Sequence, residues 1–254
     1  MLKTIFAIAR NTFKETIRDR VLYSLIGFAV IVIAASLLAA SVSLGQETRV
    51  IQSFGLTAML VFLLIITIFI GTQLVWREVE RRTIYMVLSK PVSREAFYLG
   101  KFLGLCLTIL VVMLIMGAVF VALVGYKTKA VSGVQIAAIV MMMVEAWLLT
   151  AVGMLFASFT SPLASAVYAF ALALIGHSAT SIYIIAAKST GFAKYMLEAV
   201  YYAFPNLEKF NLRNEVIFNA PLDFSYFWTA MLYFVGYTAA MLLLGIAIVR
   251  KHEY

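Results

Sequence analysis

Six stretches of this chain stay apolar for about twenty residues or more, at 22–44, 54–75, 102–124, 134–158, 163–187 and 227–249. A helix needs about 20 such residues to cross the hydrocarbon core of a bilayer. The pattern predicts an all-α integral membrane protein with six transmembrane helices. Ahead of the first stretch, Leu2, Phe6, Ala9, Phe13, Thr16 and Ile17 recur at helical spacing, with Lys3, Arg10, Lys14 and Arg18 along one flank. This segment, 1–20, reads as an amphipathic helix lying in the membrane interface with its apolar face down, or as a plain basic anchor for the first span. The long apolar run that follows shows no cleavage site, so the segment is expected to stay attached.

Composition agrees: 64% hydrophobic, 13% charged and a mean hydropathy of +1.00 do not suit a soluble domain. The single cysteine, Cys106, falls in the third span, which rules out an intramolecular disulfide and a multi-cysteine metal site. The net charge of +8 is unevenly placed. Thirteen Lys and Arg fall on the side of the two termini and the 76–101 loop, against seven on the other side. By the positive-inside bias both termini are cytoplasmic, and the excess charge faces anionic lipid rather than nucleic acid. The expected setting is a cytoplasmic (inner) membrane, crossed several times.

Motifs for chemistry are missing. No phosphate-binding G-x-x-x-x-G-K-[ST], no H-E-x-x-H and no G-x-S-x-G occurs, and the imidazoles are His177 and His252. Catalytic and metal-binding residues are therefore expected to be absent, and any ATP and Mg would be held by another chain. Within the spans, Glu145 and His177 stand out because they lie at similar depth from the outer ends of the fourth and fifth stretches, so they could face each other. A carboxylate at that depth costs roughly 2.5–3.5 kcal/mol to insert unless it is paired, protonated or wet. The pair is read either as an interhelical hydrogen bond or as part of a translocation path. Gly100 and Gly104 offer a small-xxx-small face at the start of the third span. The outer segment 188–226 contains an aromatic, apolar stretch, 192–204, read as a short helix at or re-entering the outer interface. The Phe204-Pro205-Asn206-Leu207 step follows it. Its tyrosines suit an aromatic belt, and the other reading is a lid or entry element.

The densest charge lies between the second and third spans, where residues 76–101 hold six Lys/Arg and three Glu. The order Glu78-Val-Glu80-Arg-Arg-Thr83, Leu88-Ser89-Lys-Pro91-Val-Ser93-Arg94 and Leu99-Gly100-Lys101 resembles the cytoplasmic signature of ABC-2 type permeases, E-x-E-x-G-T, L-L-S-x-P-x-S-R, G-K. One departure is Arg82 where the family usually has Gly before the Thr, so a helix could run on to Leu88. The resemblance extends over the chain as a single permease domain, 1–254, of type V architecture. It leans toward the branch associated with multicopper enzyme maturation, such as that of nitrous oxide reductase, on the strength of the outer segment from Pro205 to Arg213.

What the resemblance implies is a transmembrane permease subunit that couples ATP hydrolysis on a separate ABC ATPase to substrate export or extraction. A second permease copy would complete a homodimer, and a periplasmic accessory protein could join it. The implied ATPase-coupling residues are Glu78, Glu80, Thr83, Leu88, Pro91 and Arg94. Two other classes stay open: a membrane anchor that uses an ATPase for mechanical or signalling work without net transport, and a stand-alone membrane enzyme or carrier built on Glu145 and His177. The topology is testable by itself. In intact cells an impermeant thiol reagent should leave Tyr85→Cys unlabelled and label Lys209→Cys; labelling at 85 would reverse the orientation.

Overall fold

A computed structural model describes residues 1–41, 43, 45–80 and 93–251. Among the described residues the regular structure is helical, without strands. The order is α1 (Leu2–Thr16), α2 (Arg20–Ser41), α3 (Glu47–Glu80), α4 (Arg94–Thr128), α5 (Gly133–Ala157), α6 (Pro162–His177), α7 (Ala179–Lys188) and α8 (Phe192–Ala203). A 3-10 turn (Leu207–Phe210) follows, then α9 (Arg213–Ile217) and α10 (Phe224–Lys251).

Five of these helices are long and apolar enough to cross a membrane, and the pair α6–α7 makes a sixth crossing if taken together. The chain is thus a multi-pass membrane protein. The fifth stretch is a correction to the continuous span expected over 163–187: α6 and α7 meet at 58°. The cause is nonlocal. At the last turn of α6, Gly176 is covered by the incoming outer segment, and a Cβ there would lie 2.6 Å from Leu207 Cγ and 2.7 Å from the Pro205 carbonyl oxygen. The chain turns where that segment wedges in, and Ser178 N–H closes the end of α6 on Leu174 and Ile175.

Helices α3 and α4 outrun the apolar stretches that define them. With 34 and 35 residues at about 1.5 Å per residue, each exceeds the roughly 30 Å core. α4 starts at Ser93, whose side chain accepts from Ala96 N–H, and stops where Lys129 turns left-handed (φ 55°) and its N–H reaches Gly125 O. α5 starts on a reciprocal capping box of Ser132 and Gln135. α6 starts at Ser161, with Pro162 in its first turn.

The core is centred on α5, which packs against α3, α4, α6 and α10. Helix association inside a bilayer relies on close fit rather than expulsion of water, and the contacts show it. Gly71 of α3 and Gly153 of α5 face each other: a Cβ on Gly153 would lie 3.8 Å from the Cα and carbonyl carbon of Gly71, and one on Gly71 3.9 Å from Gly153 Cα. Trp147 of α5 donates its indole N–H to Cys106 O of α4 at 3.0 Å. Several hydroxyls in the spans are satisfied on their own helices, as Thr72 on Ile68 O, Thr108 on Gly104 O and Thr150 on Ala146 O, which suits an interior without water, while those of Ser36, Thr67 and Thr238 are buried without a partner among the described residues.

α1 packs along the start of α4. The apolar face expected for it is divided between this contact and an exposed flank. Ala9, Thr12 and Thr16 are buried, while Leu2 and Phe6 remain exposed. The helix therefore has three faces: a small-residue face against α4, an adjacent apolar flank carrying Leu2 and Phe6, and the basic flank opposite the protein. Contact is permitted by the two glycines. A Cβ on Gly100 would sit 2.8 Å from Ile8 Cβ, and one on Gly104 2.6 Å from both Ala9 O and Thr12 Cβ. Gly104→Ala should overpack this seam and cost about 1–3 kcal/mol, lowering the thermal midpoint in detergent. Gly27→Ala, where nothing lies within 4 Å, should be neutral or raise it.

Candidate functional site

Two groups of residues bear on function, one at an end of the bundle and one midway along α5. At the first, the start of α4 is fastened to the end of α10. Arg94 donates from Nη1 to Val249 O at 3.0 Å and Arg250 O at 3.4 Å. These carbonyls belong to the last turn of α10, whose partial negative charge favours a guanidinium. Glu95 forms an ion pair with Arg250. One turn further, Tyr98 is buried with its hydroxyl against Gly245, in the space a Cβ would fill. Lys101 is 2% exposed, with Nζ 5.0 Å from the centre of the Phe97 ring. The seam between α1 and α4 lies at this same end, so the first helix, residue 94 and the end of α10 share one face of the protein.

Of the residues expected to couple to an ATPase, Arg94 is the one whose side chain is described. Glu78 and Glu80 fall in the last turns of α3 with their side chains outside the described set, and Thr83, Leu88 and Pro91 lie outside the described residues. The sequence reading missed Glu95, Tyr98, Gly245 and Arg250. Their partners are about 150 residues away in the chain, and no local pattern announces such a pairing.

Midway along α5, the structure brings Glu145 and His177 together. Glu145 Oε1 lies 3.3 Å from His177 Nε2, with the side chains 3% and 20% exposed. The approach is close but oblique: neither Glu145 oxygen nor Nε2 completes a hydrogen bond among the described residues. His177 Nδ1 lies 3.2 Å from Ala173 O. A carbonyl only accepts, so this contact places the hydrogen of a neutral ring on Nδ1 and leaves Nε2 as an acceptor.

The outer segment covers this pair. Leu207 and Phe210 are fully buried and the 3-10 turn packs on α5, α6 and α7, so the stretch after Pro205 enters the protein rather than lying along its surface. α8, by contrast, has no buried residue, and its Phe192, Tyr195 and Tyr202 are exposed, as an aromatic belt requires. The turn is held by α10 and α3. Asn206 N–H donates to Tyr233 Oη at 2.9 Å, Lys209 Nζ stands 4.4 Å over the Tyr233 ring, and Arg213 donates to Thr57 Oγ1 at 2.8 Å. Glu208 accepts from Asn211 Nδ2.

A bundle of apolar crossings, fastened at one end and entered by the turn 205–210, defines a multi-pass membrane protein by class. Residues 6–253 match the family described as ABC-2 family transporter protein, and the chain belongs to that family. Its members serve as membrane subunits of ABC transporters and are typically not themselves catalytic. No curated protein sequence matches the chain.

The anchoring of the outer turn can be tested through Tyr233. Tyr233→Phe keeps the ring but removes the acceptor of Asn206 N–H, a loss of about 1 kcal/mol. In a Lys209→Cys background this should speed labelling by an impermeant maleimide by up to about 5-fold, the factor that 1 kcal/mol represents. Tyr237→Phe, which gives up an exposed bond to Ala203 O, should change the rate little.

Proposed function

We propose that this chain is the permease of an ABC transporter whose ATP and Mg are bound by a separate ATPase subunit, and that the 76–94 segment is where the ATPase docks. The observation that supports this reading is the fastening of Arg94 and Glu95 to the end of α10. A docking loop is useful to a transporter only if its displacement reaches the spans. Here the residue that ends the loop is tied to the last turn of the last span. A push on the loop is thereby delivered to α4 and α10 together.

In this reading Glu78, Glu80, Thr83, Leu88 and Pro91 form the knob and its charged rim, and Arg94 passes motion inward. Both termini and the loop are cytoplasmic in the inner membrane, following the thirteen-to-seven distribution of basic residues. A second copy of the chain makes the permease a homodimer. The outer turn on Glu145 and His177 closes the extracytoplasmic end of the path, where an accessory protein would act. Moving a substrate outward or extracting it from the membrane are both served by this arrangement, and the link to multicopper enzyme maturation is retained as the narrower family reading.

Docking is tested by co-purification with the ATPase. Leu88→Asp would place a charge without a partner in the centre of the contact, a cost on the order of several kcal/mol, and should release the ATPase. Arg81→Ala, at the rim, should cost less than about 1 kcal/mol and retain it. Equal retention in both variants would show that the partner binds elsewhere.

A further inference from the structure

We propose that Glu145 and His177 form a binding site for a single proton, and that this proton keeps the outer turn 205–210 seated. The argument rests on donors and acceptors. With Nδ1 committed to Ala173 O, the Nε2 atom of a neutral ring offers a lone pair, and an ionised Glu145 offers only lone pairs. Two acceptors at 3.3 Å repel, and both are shut away from water. One proton resolves the conflict, whether carried by the carboxyl and donated to Nε2 or carried by Nε2 and donated to the carboxylate. A small rotation of either side chain brings the pair into line.

No stronger partner competes for the site. Among the described residues no Lys or Arg lies within ion-pair distance of Glu145, and no set of three metal-ligating side chains occurs, which favours a proton over a metal ion. Charged and titratable groups on the elements packed around the pair are otherwise engaged or distant. The negative charge of Glu208, on the 3-10 turn, reaches both members, and its carboxylate accepts from Asn211. Lys209 of the same turn lies on Tyr233, the phenol that α10 presents there. Arg213 of α9 is bonded to Thr57, with Glu215 on the same short helix. α4 contributes Cys106 in its apolar length and Lys101 and Lys127 towards its ends. α3 contributes Glu47 and Arg49 at its start, and α7 Lys188 at its far end.

The site is linked to the turn through one residue. His177 adjoins Gly176, and Gly176 is the surface on which Leu207 and Pro205 rest. Loss of the proton sets lone pair against lone pair and drives His177 away from Glu145, which moves the seat of Leu207.

Two histidines in the whole chain make the test direct. The intact protein, labelled with nitrogen-15 histidine and placed in lipid nanodiscs, would be titrated and its two imidazoles followed. Glu145→Gln can donate an amide N–H to Nε2 but carries no titratable proton, and Glu145→Met serves as a second variant should the first not fold. The expected result is a native His177 with hydrogen on Nδ1 whose titration shifts in the variant, while His252 titrates unchanged. A His177 that titrates identically with and without the carboxylate, or carries its neutral hydrogen on Nε2, overturns the site. For the turn, the maleimide labelling rate of Lys209→Cys is divided by the rate in Lys209→Cys with Glu145→Gln, which cancels the titration of the introduced thiol. That ratio should rise with pH. A ratio independent of pH overturns the link between proton and turn.

Discussion

The interior of a bilayer supplies no water, so a polar side chain that enters it must be satisfied by the protein, and the outer half of this molecule is arranged around that requirement at Glu145. The carboxyl sits on α5, the helix against which α3, α4, α6 and α10 pack, and is met by His177 at the end of α6. α6 stops at this point, α7 leaves at 58°, and the segment after Pro205 fills the angle with Leu207 and Phe210. The wedge needs Gly176, because any side chain there would occupy the volume of Leu207. Bend, wedge and buried pair are one construction, and removing any of them leaves the other two without support.

The opposite end follows a different rule. There the helices project into a charged, wet region, and ion pairs in such places contribute little to stability. What the contacts of Arg94 and Glu95 provide is position. Arg94 completes the carbonyls that every helix leaves open at its C-terminus, so α10 is terminated by a residue of α4. Tyr98 in the notch at Gly245 prevents the two helices from sliding. α1, drawn close by Gly100 and Gly104, covers α4 over the following turns. The start of α4 is thus held from two sides at the point where the charged loop joins it.

The crossings were legible in the sequence because each is a long apolar run, and length with composition settles a membrane span almost alone. Their ends were less so: α3 and α4 continue past their apolar stretches on residues such as Arg94, Glu95 and Tyr98, which a hydropathy pattern discounts although they suit a helix projecting into water. The meeting of Glu145 and His177 was readable from depth, since residues equally far from the same surface lie on one level. The break at His177 was not. It is imposed by Leu207, some thirty residues later, and α6 with α7 reads as one continuous apolar segment. For α1, periodicity identified the helix and the face that carries Ala9 and Thr16, but its seating on α4 was not legible, because Ala9 and Thr12 look unremarkable until Gly100 and Gly104 are brought against them. The family signature singled out Arg94; that its guanidinium would cap α10 depended on a contact across 155 positions.

α10 connects the two ends. Its last turn carries the bonds from Arg94, and Tyr233, near its beginning, receives the N–H of Asn206 on the outer turn. Sixteen residues separate Tyr233 from Val249, about 24 Å along the axis. The helix between them is continuous from Phe224 to Lys251 and rests on α5 through Trp147 and Phe234. A continuous helix transmits a tilt or a translation along its length without rearranging its own hydrogen bonds. In the proposed reading, a displacement at Arg94 would reach Tyr233 by this route, and with it the support of the turn that covers Glu145 and His177. α5, fixed by its neighbours on all sides, supplies the fulcrum.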